Sequence, residues 1–321
     1  MKITWIGTGV MGQSMAGRLL SAGYDLTVFS RTKNKASALV ARGAKWAASP
    51  KEAAVGAKIV CAMVGYPADV EDVFLGPDGV LQSMPPKTLW IDFTTSSPSL
   101  ALKIFKAAKK SGIAALDAPV SGGDSGAREG KLSIMVGGEF SSFNRARPIF
   151  KHLGKTIVFQ GRPGSGQHAK MVNQIMIAGT MMGMCEGLLY ARKANLDPDT
   201  VLKSVGSGAA ASWSLANLYP RILKADFKPG FYVEHFVKDL QIALSEARRM
   251  KLDLPALALA EKLYNRLKNE GGARFGTQAL IKELEKIQRH KGTRRRSEAL
   301  AGKHRQTCPP KPVVAKAEGT K

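Results

Sequence analysis

Lys170 and Asn173 interrupt the opening of a long apolar stretch in "GSGQHAKMVNQ" (164–174). Three residues apart, they fall on one face of a helix. An ammonium so placed can give a proton to an oxygen that is becoming anionic and can stabilise the developing charge. The Asn173 amide can hold either that ammonium or the reacting oxygen. Enclosure beside other cations lowers a lysine's pKa and brings proton exchange toward neutral pH. From Met171 to Tyr190 runs the chain's richest apolar stretch, broken by Asn173, Gln174 and Glu186, so a long helix is expected to begin near Lys170, with the lysine at its mouth.

A second chemical signature lies at the start of the chain. "GTGVMG" (Gly7, Thr8, Gly9, Val10, Met11, Gly12) follows a strand-like segment and opens a helical one. In this spacing Gly7 permits a tight turn, Gly9 lets backbone approach a pyrophosphate, and Gly12 lets helix and strand pack closely. The free N–H groups of the helix start face the phosphate charge. At the end of the next strand, "VFSRTKNK" carries Ser30, Arg31, Thr32 and Lys35. A carboxylate there would bind a ribose 2′-hydroxyl and repel a 2′-phosphate. The Arg31 fork, the Thr32 hydroxyl and the Lys35 charge suit the phosphate instead, so NADP, with NADPH preferred over NADH, is the expected cofactor. A third cluster, Ser121, Gly122 and Gly123 in "DAPVSGG", offers backbone N–H groups and a hydroxyl to an anion.

The elements that must position these groups follow from hydrophobic periodicity. Strand patterns at 3–6, 26–29, 59–64, 88–93, 114–118, 132–136 and 156–159 alternate with helical ones at 11–22, 33–41 and 97–111. Such alternation predicts an α/β fold, an N-terminal Rossmann-type doubly wound, largely parallel sheet with helices on both faces. From Gln167 strand patterns nearly vanish, and breaks at Asp197-Pro198, Gly206–Gly208 and Lys228-Pro229-Gly230 separate helices. The expectation is a dinucleotide-binding domain over 1–162, an all-α C-terminal domain over 163–288 joined by the long interdomain helix, and a basic, disordered tail over 289–321.

The 321 residues carry 48 Lys and Arg against 25 Asp and Glu, a formal charge of +23. That charge favours anionic ligands by steering, and through the tail allows weak nonspecific contact with nucleic acid. No apolar run reaches membrane-spanning length, and "MKITWIG" enters a strand without the layout of a signal peptide. Cys61, Cys185 and Cys308 are widely separated and form no metal-ligand pattern. A cytoplasmic protein without metal is expected.

Four motifs in order, "GTGVMG" (7–12), "DAPVSGG" (117–123), "GSGQHAKMVNQ" (164–174) and "KDL" (238–240), resemble the β-hydroxyacid dehydrogenase family, over nearly everything from Met1 to about Lys286. The family includes 3-hydroxyisobutyrate dehydrogenase, tartronate semialdehyde reductase and glyoxylate/succinic semialdehyde reductase. The resemblance implies Lys170 as catalytic lysine with Asn173 beside it, and Ser121, Gly122 and Gly123 as the substrate-carboxylate loop. It implies Phe231 and Asp239 in the substrate pocket, Thr95 beside the nicotinamide, Lys238 on the cofactor, and Met63 and Val64 as the backbone stretch passing it. It further implies a small carboxylate-bearing aldehyde or hydroxyacid as substrate and a homodimer or homotetramer.

Two alternatives are open at this level. Imine reductases share the first glycine motif but usually replace the lysine. A non-catalytic binding protein would use the fold as an oligomerisation module and the basic tail to contact nucleic acid, yet it would have no physical need of Lys170, Asn173, Ser121 and Lys238 together. His168 and His235 receive no role. Glu186 and Trp213 border the pocket in one reading, and core packing is the simpler one for the tryptophan.

Overall fold

The computed structural model describes residues 1–289. Nine strands form one sheet: β1 (Lys2–Ile6), β2 (Asp25–Phe29), β3 (Lys45–Trp46), β4 (Ile59–Ala62), β5 (Leu89–Asp92), β6 (Ala114–Asp117), β7 (Val120–Ser121), β8 (Leu132–Gly138) and β9 (Gly154–Gly161). Their order is β3-β2-β1-β4-β5-β6-β8-β7, with β9 also beside β8. From β3 through β6 every pairing is parallel. β4 and β5 are buried along their whole length, the mark of strands covered on both faces. The chain runs outward from β1 through β2 and β3, then restarts at β4 on the other side of β1. That reversal opens a crevice at the carboxyl ends of β1 and β4, where open α/β sheets take their ligands.

Helices α1 (Val10–Ser21), α2 (Ser37–Val40), α3 (Pro50–Ala54), α4 (Pro67–Leu75), α5 (Pro98–Lys110), α6 (Gly123–Glu129) and α7 (Phe140–Leu153) cover the sheet. One core gathers Trp5, Leu19, Val28, Phe93 and Phe150, with Trp5 stacked on Phe93 at 5.6 Å. The opposite face gathers Ile6, Val60, Phe74, Trp90 and Leu100. Local signals start several helices: Ser97 accepts a hydrogen bond from the Leu100 N–H, with Pro98 in the first turn of α5.

The C-terminal domain is helical: α8 (Ser165–Lys193), α9 (Pro198–Val205), α10 (Trp213–Leu223), α11 (Val233–Arg249) and α12 (Pro255–Leu267). Its core includes Met181, Leu188, Phe236, Leu240 and Tyr264. The three expected breaks all mark helix boundaries; Asp197 caps α9, whose first residue is Pro198, by accepting the Thr200 N–H at 2.8 Å. The expected basic tail lies, but for Arg289, outside the described residues.

Three features differ from the sequence reading. β3 and β7 are two-residue strands, too short to leave a period-two pattern. β8 runs antiparallel to β6 and β7, because β8 follows β7 through only the short α6 and so returns along its neighbour rather than crossing over. Finally, α8 begins at Ser165, five residues before Lys170. Its first turn is capped from afar, by the Asp117 carboxylate, which accepts the N–H groups of Gly164 (2.8 Å) and Gln167 (2.9 Å). Nothing local in "GSGQH" announces that cap, so the lysine stands more than a turn inside the helix.

Candidate active site

The crevice at the switch point continues between sheet and helices as one cleft of about 1510 Å³. The first glycine turn forms its floor at the end of β1. Gly7 adopts φ +92°, and a Cβ there would collide with the Met63 carbonyl of the strand alongside. A Cβ on Gly12 would collide with the Gly7 carbonyl and lie 3.2 Å from Trp5 Nε1, whereas beside Gly9 there is open space. The N-terminus of α1 has no side-chain cap and no acidic residue in its first turn. The buried Thr8 hydroxyl has no partner. Uncapped N–H groups, open space and an orphaned hydroxyl together fit an anionic dinucleotide backbone.

Around the rim, Ser30 is buried while Arg31, Thr32 and Lys35 are exposed. Arg31 pairs with Asp69 at 2.9 Å. Because Arg31 lies in water this pair is weak, so the guanidinium is only loosely held. Val64 donates its N–H to the Thr94 hydroxyl at 3.0 Å, fixing the backbone after β4.

From the helical side, α11 presents Lys238 and Asp239. The Lys238 ammonium donates to the carbonyls of Thr95 (2.7 Å) and Gly65 (3.2 Å), tying α11 to the loops after β5 and β4. It also pairs with Asp239 at 3.0 Å; Asp239 is 1% exposed. The pair is therefore buried in the cleft wall rather than solvated. Gln174 donates to Asp239 at 2.6 Å, and Asn173 donates to Gln174 at 2.6 Å. One of the two Asn173 amide hydrogens is thus engaged by Gln174, leaving the other and the amide oxygen available, and no hydrogen bond joins Asn173 to the Lys170 ammonium among the described residues.

Lys170 itself is 6% exposed and makes neither a hydrogen bond nor an ion pair with the described residues. Burial pushes its pKa down to about 8; Asp239 pulls it back up and Lys238 pushes it further down. The cleft therefore holds a lysine that changes charge near neutral pH, with its hydrogen-bonding capacity unspent.

Ser121 ends β7, and Gly122 and Gly123 follow at φ +130° and +61° to start α6. Added to Gly123, a Cβ would sit 3.5 Å from the Gly230 carbonyl, so this loop meets the turn that carries Phe231. Phe231 is 37% exposed and lies against His235 at 6.4 Å.

The structure brings all the sequence-derived positions to this cleft: Gly7 to Gly12, Ser30, Arg31, Thr32, Lys35, Met63, Val64, Thr95, Ser121 to Gly123, Lys170, Asn173, Phe231, Lys238 and Asp239. It adds others. His235, given no role from sequence, packs against Tyr66 at 5.6 Å and closes the wall between sheet and helices. Burial lowers its pKa. Trp213 is 70% exposed at the rim, so core packing does not describe it, and exposed Glu186 is not among the lining residues. Gln174 escaped notice, although it stands one turn after Lys170 and that spacing could have found it. Among the described residues no group of three or more His, Cys, Asp or Glu side chains could hold a metal ion.

Residues 2–161 match the family model described as the NAD binding domain of 6-phosphogluconate dehydrogenase. Residues 164–284 match the one described as the NAD-binding region of NADP-dependent 3-hydroxyisobutyrate dehydrogenase. A probable mitochondrial 3-hydroxyisobutyrate dehydrogenase-like protein of Arabidopsis thaliana is 52% identical, over 89% of this chain and 86% of its own. The 2-hydroxy-3-oxopropionate reductase of Escherichia coli is 37% identical, over 91% and 99%. Among solved structures, Mycobacterium tuberculosis 3-hydroxyisobutyrate dehydrogenase with L-serine superposes with a TM-score of 0.83 at 29% identity, covering 88% of this chain and 98% of that one. With both domains matched in order and relatives this similar over nearly their full length, the chain belongs to the β-hydroxyacid dehydrogenase family and binds a nicotinamide dinucleotide.

Proposed function

We propose that the chain is an NADPH-dependent reductase of small aldehyde acids, working in reverse as a hydroxyacid dehydrogenase, with Lys170 as the group that gives and takes the proton. The observation that carries this reading is the unpartnered, buried Lys170 ammonium facing the same cleft as the glycine turn of β1 and the Ser121–Gly123 loop. When bound, the nicotinamide supplies the hydride. Gly7, Gly9, Gly12 and the start of α1 would hold the pyrophosphate, Arg31, Thr32 and Lys35 the 2′-phosphate, and Thr95 and Lys238 the nicotinamide end. Ser121 and the backbone N–H groups beside it orient the substrate carboxylate, with Phe231 covering its carbon chain. Lys170 then protonates the carbonyl oxygen as it gains negative charge. Burial of Lys170 strengthens that charge interaction.

The test is NADPH consumption across glyoxylate, succinic semialdehyde, tartronate semialdehyde and methylmalonate semialdehyde. Turnover with at least one is expected; none with all four overturns the reading. Because the acid form of Lys170 is the competent one for reduction, reductive kcat/KM is expected to fall as pH rises through about 8, and hydroxyacid oxidation to rise over the same window. A reductive profile flat from pH 7 to 9.5 contradicts the assignment.

Reversing the charge at the rim tests the phosphate site. Arg31→Asp removes a charge-assisted hydrogen bond and adds repulsion, so the NADPH-to-NADH ratio of kcat/KM is expected to drop by about 10- to 100-fold. An unchanged ratio rules out a 2′-phosphate at Arg31.

Division into units of 1–162 and 163–288, pairing of the helical domain into a homodimer or homotetramer, and residence in the cytoplasm belong to the same proposal. Buried, unpaired Cys61 and Cys185 support the reducing compartment. No helix among the described residues is long and apolar enough to cross a membrane.

A further inference from the structure

We propose that Gln167 is a positioning residue for hydride transfer: its side chain clamps the Thr94–Ser96 loop to the first turns of α8 and so sets Thr95 relative to Lys170. This rests on the reductase reading above.

Gln167 is fully buried. Its Oε1 accepts the Ser96 N–H at 2.9 Å, and its Nε2 donates to the Thr94 carbonyl at 2.8 Å. The backbone of Gln167 is fixed in turn, donating its N–H to Asp117 at the end of β6. Asp92, level with Asp117 on the neighbouring strand, accepts the Thr94 N–H at 2.9 Å. The loop is therefore held on both sides of Thr95, whose own carbonyl is left for Lys238 across the cleft. Lys170 follows Gln167 by three residues on the same rigid helix. One amide thus couples the loop that faces the cofactor's reactive end to the helix that carries the proton donor, while not itself lining the cleft.

An amide is the group this geometry demands, one acceptor and one donor on a planar fork. Gln167→Met keeps the length and removes both bonds. Gln167→Glu keeps the acceptor, and only its protonated form keeps the donor. The titratable groups around that position are Asp117 of β6, Asp92 of β5, Lys238 of α11 across the loop, and Lys170 on the same helix. The two carboxyls and the Thr94 carbonyl favour a protonated Glu; the lysines oppose it.

Full-length wild type, Gln167→Met, Gln167→Glu and Lys170→Ala are compared in parallel by NADPH fluorescence titration, kcat per bound NADPH, and the isotope effect with NADPH deuterated at the transferred position. For Gln167→Met, kcat is expected to fall by about 10- to 100-fold, as misplacement of reacting groups predicts, with NADPH affinity within about threefold and a larger isotope effect. Gln167→Glu is expected to recover toward wild type at pH 6 and to lose activity relative to it by pH 8. The inference is overturned by an unchanged kcat and isotope effect in Gln167→Met, by a Gln167→Glu ratio to wild type that does not vary with pH, or by failure of both variants to fold, which assigns Gln167 to stability alone. If Gln167→Met does not fold, the Gln167→Glu ratio decides. Inactive wild type on every substrate marks failure of the reductase reading rather than of the clamp; wild type active and Gln167→Met equally active marks the reverse.

Discussion

Lys170→Ala is expected to lower kcat by about 10³- to 10⁴-fold while NADPH binds as tightly as to wild type. Proton transfer by a positioned group contributes about 10²- to 10⁴-fold, and electrostatic stabilisation of a developing alkoxide adds to it. Lys238 is committed to Thr95, Gly65 and Asp239, and burial beside Lys238 disfavours the charged form of His235. Folding should survive, because Lys170 makes no hydrogen bond or ion pair with the described residues and its removal relieves a buried charge. Titration of NADPH fluorescence, single-turnover absorbance and a melting curve check the three parts. Loss of cofactor binding in a folded Lys170→Ala protein would falsify the catalytic assignment.

Gly12→Ala carries the second large effect, on cofactor binding. The added methyl falls inside the Gly7 carbonyl and close to Trp5 Nε1. Both neighbours are pinned, since Trp5 Nε1 donates to that same carbonyl at 2.9 Å and Trp5 lies stacked in the core. Relief requires α1 to lift from β1, which moves the N–H groups at its start. NADPH Kd is expected to rise by about 100-fold, and overpacking to cost about 1–3 kcal/mol of stability. Gly9→Ala is the contrast. Its methyl meets no protein atom within 4 Å, so the melting temperature should hold while the methyl intrudes on the phosphate site. Equal melting temperatures and equal NADPH affinities in wild type and Gly12→Ala contradict this account.

The parts legible in the sequence were those whose chemistry is local. The glycine spacing after β1, the alternation of β1 to β6 with helices, the proline and glycine breaks between α9, α10 and α11, and the lysine of α8 each show in a few consecutive residues. What stayed hidden depends on groups distant in sequence. The start of α8 is set by Asp117, dozens of residues earlier, and the direction of β8 by its return beside β6. His235 looks like an ordinary helical histidine until α11 sets it against Tyr66. The resemblance marks Lys238 and Asp239 as site residues, but their burial and mutual pairing stay hidden, because a helix sequence does not say which face meets another domain. For Trp213 the sequence leaves pocket border and core both open, because its size favours burial, and at the start of α10 it stays largely exposed at the rim.

The single rod from Ser165 to Lys193, about 43 Å long at 1.5 Å per residue, has a mechanical consequence. At its first turn Gly166 presses so closely on the backbone of Asp117 and Met135 that a methyl group has no room, so that end acts as a fulcrum. The far half is held through its own buried Cys185 and Leu188, packed in the core with residues of α10, α11 and α12. Lys170 stands near the fulcrum on the short arm, where a tilt imposed by repacking at the distal end reaches it only as a fraction of its size. The far half of the rod is thereby free to diverge in shape and company while the ammonium keeps its aim.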